Sequence, residues 1–74
     1  MDANVKNKVR QLMTELLTLS VGQFWASIIV DHIFSDVVDE MEQTMGEDIS
    51  EDDVTMESVQ SRMGKVLDRI TYGF

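Results

Sequence analysis

The sequence contains no cysteine and no proline, and His32 is its only histidine. The chain can therefore form no disulfide, and a zinc site built from cysteine and histidine is excluded. No apolar run approaches the roughly 18 residues that a membrane-spanning helix needs; the run 28–30, for example, ends at Asp31. The first residues also lack a basic stretch followed by an apolar one, so we expect no signal peptide, no membrane association and a cytoplasmic protein.

Basic residues are also scarce. Six Lys and Arg stand against 14 Asp and Glu, which gives a formal net charge of −8 at pH 7. Eleven of the acidic residues lie in the segment 31–57, which contains no Lys or Arg. Phosphate groups would repel such a chain, so we expect no direct binding to nucleic acid.

The chain has 74 residues, which is enough for one small domain. A chain of this length buries only about 60 % of the surface that it exposes when unfolded, so its own core is small. Without disulfides or a zinc site, its stability depends on efficient helix packing or on association with another chain.

Apolar residues recur at helical spacing along three segments, and strand-like alternation is rare. The spacing predicts a single all-α domain with a long central helix. The predicted elements are, in chain order, helix 1 at about 3–18, helix 2 at about 21–45, an acidic loop at 46–54 and helix 3 at about 55–72.

Capping residues define the predicted ends of these helices. Asp2 is a suitable N-cap for helix 1. Ser50 and Thr55 are both cap candidates before helix 3, and we expect an irregular or partly helical start at Ser50 and a firm helix from Thr55. Ser20 and Gln23 have the spacing of a capping box, which predicts that helix 2 starts immediately after Ser20. Gly46 follows the last apolar residue of helix 2 and predicts its end, because glycine readily adopts the left-handed backbone found there.

Helix 2 is apolar nearly all round in its first half. Phe24, Trp25, Ile28 and Ile29 project from the side that becomes polar further along and carries His32, while a second apolar stripe continues on the opposite side. Either helix 1 folds back over these residues, or they contact another chain, as exposed aromatic residues often do. We predict an all-α three-helix bundle or helical hairpin that forms a homodimer, with Phe24, Trp25, Ile28 and His32 at the interface.

Candidate catalytic and metal-binding residues lack the partners that they need. His32 has Asp36 one turn later, but no cysteine or strained serine turn supplies a nucleophile. A calcium-binding loop that starts at Asp48 would have Asp53 where glycine is required and Val59 where the bidentate glutamate belongs. We therefore expect no enzymatic activity, and no catalytic, cofactor-binding or metal-binding residue.

The acidic segment has two interpretations. It is either a solvated surface that keeps the protein soluble, or a negatively charged surface that contacts a basic protein and competes there with nucleic acid. Our functional hypothesis uses the second: a non-enzymatic, protein-binding regulator or inhibitor that acts as a nucleic-acid mimic. The predicted contact residues are Asp36, Asp39, Glu42, Glu47, Asp48, Glu51, Asp52 and Asp53.

In size and acidity the chain resembles the small accessory proteins that phages and mobile elements encode against host machinery. This resemblance implies a host protein as the partner. Two alternatives from other classes remain. One is an assembly subunit of a helical homo-oligomer. The other is a metal-dependent helical enzyme, suggested by carboxylates spaced one helical turn apart.

Overall fold

The computed structural model describes residues 1–72 and contains three α-helices, with no strand among those residues. The helices are α1 (Ala3–Val21), α2 (Gln23–Met45) and α3 (Met56–Tyr72), and a short 3-10 helix (Glu51–Asp53) precedes α3. All three pack around one apolar core. The predicted all-α fold is confirmed.

Helix α1 begins at its predicted cap. The Asp2 carboxylate accepts a hydrogen bond of 2.9 Å from the backbone N–H of Val5, which satisfies one of the free amides of the first turn. One face of α1 is buried, with a residue at every fourth position. The buried residues are Val5, Val9, Met13 and Leu17.

The junction between α1 and α2 differs from the prediction. Helix α1 extends to Val21 rather than ending near residue 18, and α2 starts at Gln23 rather than at residue 21. Ser20 is an ordinary exposed residue of α1, so the predicted capping box is wrong. The break occurs at Gly22, whose backbone has φ 85° and ψ 165°.

Gly22 closes both helices with its own backbone. Its N–H donates to the carbonyl of Thr18, and its carbonyl accepts from the N–H of Ala26, both at 3.0 Å. No side chain caps the start of α2. A single residue therefore separates the two helices, and its positive φ turns the chain.

Helix α2 contributes the largest share of the core. Its buried apolar residues are Ala26, Val30, Ile33, Val37, Val38 and Met41. The helix ends at Met45, and Gly46 follows with φ 89° while its N–H donates to the carbonyl of Glu42. As at Gly22, a glycine with positive φ terminates the helix.

The linker from α2 to α3 is packed rather than loose. Ile49 and Val54 are buried in the core, and the Asp53 carboxylate accepts hydrogen bonds from the N–H and hydroxyl of Ser50. Thr55 caps α3: its hydroxyl accepts from the N–H of Ser58 at 3.1 Å. Helix α3 then buries three residues at helical spacing, which are Val59, Met63 and Val66.

Candidate functional site

The solvent-facing side of α2 forms one continuous surface. Its residues recur every three or four positions and fall within one arc of the helix. We call this surface the outer face of α2. It comprises Phe24, Trp25, Ile28, Asp31, His32, Ser35, Asp36, Asp39, Glu42 and Gln43, of which only Ile28 and Glu42 are half-buried.

The first part of this face is apolar and exposed. The Phe24 and Trp25 side chains are 69 % and 58 % exposed, and their rings meet edge to face with centroids 5.4 Å apart. Leu19, at 84 %, and Val21, at 42 %, are also exposed, at the end of α1 that precedes these two residues. We call Leu19, Val21, Phe24 and Trp25 the apolar corner.

The exposure of the apolar corner excludes one interpretation of the first half of helix 2, in which helix 1 covers Phe24 and Trp25; contact of these residues with another chain stays a prediction. Helix α1 does not fold back over Phe24 and Trp25; it packs on the opposite side, where Ala26 and Val30 are buried. Ile28 is half-buried and His32 is exposed. The two aromatic side chains therefore remain more than half exposed.

The second part of the outer face is acidic. Asp36 and Asp39 are exposed, and Glu42 is half-buried with its Oε2 3.7 Å from the amino group of Met1. Asp39, Glu42 and Glu47 border one shallow, open depression together with Gln43. The linker acids are exposed as well. We call the whole set the acidic surface: Asp36, Asp39, Glu42, Glu47, Asp48, Glu51, Asp52 and Asp53.

Three of the six Lys and Arg side chains, those of Lys8, Arg10 and Arg69, make polar contacts among residues 1–72, and none of these contacts is to a carboxylate of the acidic surface. Arg10 pairs with Asp31 at 2.9 Å and stacks 4.3 Å above the ring of Phe34, which joins α1 to α2. Lys8 donates to the carbonyl of Glu51 at 2.7 Å and joins α1 to the linker. Within residues 1–72, ion pairs reach three of the eleven acids of 31–57, namely Asp31, Glu40 and Glu42.

Glu40 is a structural residue that the sequence did not single out. Its side chain is only 6 % exposed and pairs with the guanidinium of Arg69 on α3. The hydrogen bond from Arg69 lowers the pKa of Glu40, and the charges of Lys65 and Arg62 act in the same direction against the effect of burial. The sequence does contain a signal for this burial: Glu40 follows Val37 by three residues, a spacing that places it beside the buried apolar stripe of α2.

The candidate metal and catalytic residues are not assembled into a site. Between residues 1 and 72, no three His, Asp or Glu side chains are placed to hold a metal ion. Ser35 and Asp36 are exposed beside His32 on regular helix. In the same range, no helix is both long and apolar enough to cross a membrane.

No protein-family model, curated protein or solved structure matches this chain. The apolar corner and the acidic surface are therefore the two features from which a function is inferred.

Proposed function

We propose that the protein is a non-enzymatic, protein-binding regulator whose acidic surface contacts a basic face of its partner. The observation that carries this proposal is the uneven use of charge. Lys8, Arg10 and Arg69 are engaged in contacts within the chain, whereas Asp36 and Asp39 are exposed on α2.

Solubility alone does not require this arrangement. A soluble surface usually mixes charges of both signs, and carboxylates one turn apart repel each other and weaken a helix by a few tenths of a kcal/mol. The segment 31–57 contains no Lys or Arg that would reduce this repulsion between its carboxylates. A field of one sign attracts an oppositely charged partner over several ångströms and accelerates its association.

A basic protein surface that binds nucleic acid suits these carboxylates best. Phosphates present closely spaced negative charges, and Asp36 and Asp39 with the linker acids present a comparable series of anions. Such a regulator would compete with nucleic acid for its partner. A basic nucleic-acid-binding protein is therefore the class of partner that we propose.

The test begins with capture of the partner from cells that produce the protein, followed by measurement of association rates. The variant Asp36→Asn/Asp39→Asn removes two exposed charges of the acidic surface. Its matched control, Glu15→Gln/Asp68→Asn, makes the same change in net charge at exposed positions of α1 and α3. We expect a several-fold slower association for the first variant, little change for the control, and a wild-type rate that falls steeply with salt.

Equal slowing by both variants would show that only net charge matters. An unchanged rate in the first variant would show that the acidic surface is merely solvated. In either case the proposed contact at Asp36 and Asp39 is wrong.

The apolar corner favours a second candidate function, that of an assembly subunit in a helical homo-oligomer. Exposed aromatic side chains such as Phe24 and Trp25 are typical anchors of protein interfaces. The particle size in solution separates the two candidates: a large ring or filament supports the assembly subunit, and a small discrete species supports the regulator.

A further inference from the structure

The chain segment that carries the apolar corner contains no charged residue. No Asp, Glu, Lys, Arg or His occurs between residues 16 and 30, although the chain as a whole has a net charge of −8. This uncharged stretch contains the end of α1, the break at Gly22 and the start of α2. Leu19, Phe24 and Trp25 are its most exposed large apolar side chains.

We propose that the apolar corner docks against the same corner of a second copy in a closed, two-fold dimer. Two copies of a chain with this net charge repel each other wherever their acids meet, and burying an unpaired carboxylate is costly. At the corner, the two surfaces can meet without enclosing a charge. A basic partner, in contrast, is attracted to the acidic surface and gains no charge contact at the corner.

The apolar corner supplies a large part of the area that a small dimer buries. An aromatic side chain buries about 150–250 Å² in an interface, so the exposed fractions of Phe24 and Trp25 correspond to roughly 190–320 Å² per copy. The smallest stable interfaces bury about 600 Å² per partner. The two rings thus supply a third to a half of that area, and Leu19 and Val21 add to it.

Two-fold symmetry also keeps the acidic surface free. In such a dimer the Phe24–Trp25 pair of one copy lies against the same pair of the other copy. Asp36 is 11 residues beyond Trp25, about 16 Å along α2, and so lies outside this contact. The contact at the corner and the contact proposed for the acidic surface use different residues. This inference therefore goes beyond the proposed function and does not depend on it.

The test is sedimentation equilibrium combined with the fluorescence of Trp25, the only tryptophan. The wild type should form a species of twice the 8.4 kDa chain mass, and the emission should shift to the blue as concentration rises. Leu19→Glu places a carboxylate from each copy in the interface and should weaken association at least tenfold. Phe24→Ser should weaken it as well.

Tyr72→Glu is the matched control. Tyr72 is as exposed as Leu19, at 84 %, and also lies in the last turn of its helix, so both variants place the new charge at a helix end. Arg69, one turn before Tyr72, contacts Glu40. Glu40 lies about 24 Å along α2 from Phe24, so this end of α3 is far from the apolar corner. This variant should associate as the wild type does. Circular dichroism at low concentration verifies that each variant is folded.

The salt dependence of association distinguishes this dimer from the proposed contact with a basic partner. Screening reduces the repulsion between two acidic copies, so added salt should strengthen self-association while it slows binding to a basic partner. Three outcomes would overturn the dimer. The first is a wild type that remains monomeric at about 1 mM protein in about 0.5 M salt, an ionic strength at which the repulsion is screened. The others are equal association of Leu19→Glu and wild type, and growth into open polymers. None of these bears on the rate test at Asp36 and Asp39.

Discussion

Replacing Gly22 by alanine tests the geometry of the junction between α1 and α2. The backbone of Gly22, with φ 85° and ψ 165°, lies in a region that only glycine adopts readily, and other residues pay about 1–3 kcal/mol to enter it. An added Cβ would meet no heavy atom within 4 Å. The destabilisation of Gly22→Ala therefore comes from backbone strain and not from a clash.

Gly64→Ala provides the control with the opposite sign. Gly64 lies inside α3, and its added Cβ also meets nothing within 4 Å. Alanine there should stabilise the helix by about 0.5–1 kcal/mol. Both substitutions restrict the unfolded chain in the same way, so the difference between them isolates the strain at Gly22. That difference should be at least about 1 kcal/mol.

Thermal and urea unfolding measure the change in stability of both variants. All samples are compared at one protein concentration, because any association adds to the apparent stability. For a domain of this size, about 1 kcal/mol corresponds to a shift in Tm of about 4–8 °C. The Tm of Gly22→Ala should fall below the wild type and that of Gly64→Ala should rise above it. If D-alanine at position 22, introduced by chemical synthesis, destabilised as much as L-alanine, the strain argument would be refuted.

Two further predictions concern Glu40 and the helix caps. The pKa of Glu40 is below its ordinary value of 4.5. Its ionised form therefore adds stability above pH 4.5, and this stability is lost as the pH falls through the lowered pKa. Glu40→Gln should destabilise the protein at neutral pH, and urea unfolding at several pH values should show that the difference in stability between variant and wild type vanishes in acid. Thr55→Ala should cost about 1 kcal/mol, and Ser20→Ala less than about 0.5 kcal/mol, in the same assay.

The sequence predicted the three helices and their buried faces because both depend on local spacing. The buried positions of α1 and α3 recur with helical periodicity, and Asp2 and Thr55 have the residue types that caps require. The sequence left open whether helix 1 covers Phe24 and Trp25 or whether these side chains contact another chain; the structure excludes the first. Periodicity shows that the first half of α2 is apolar all round, but it cannot show which side another helix covers.

The junction and the Glu40 pair could not be derived in the same way. Ser20 with Gln23 satisfies a capping pattern, yet serine is also tolerated within a helix, and Gly22 provides a sharper break two residues later. The contact between Glu40 and Arg69 joins residues 29 positions apart. Such a pair depends on how α3 crosses α2, which no local pattern encodes.

The packed linker affects how two copies can combine. Exchange of α3 between copies would require the linker to open as a hinge, which would withdraw Ile49 and Val54 from the core. Fully exposing two such side chains costs about 3–6 kcal/mol in total, and the bond from Lys8 to Glu51 would also be lost. Domain swapping is therefore disfavoured, and the dimer that we propose would form through preformed surfaces and exchange copies without unfolding.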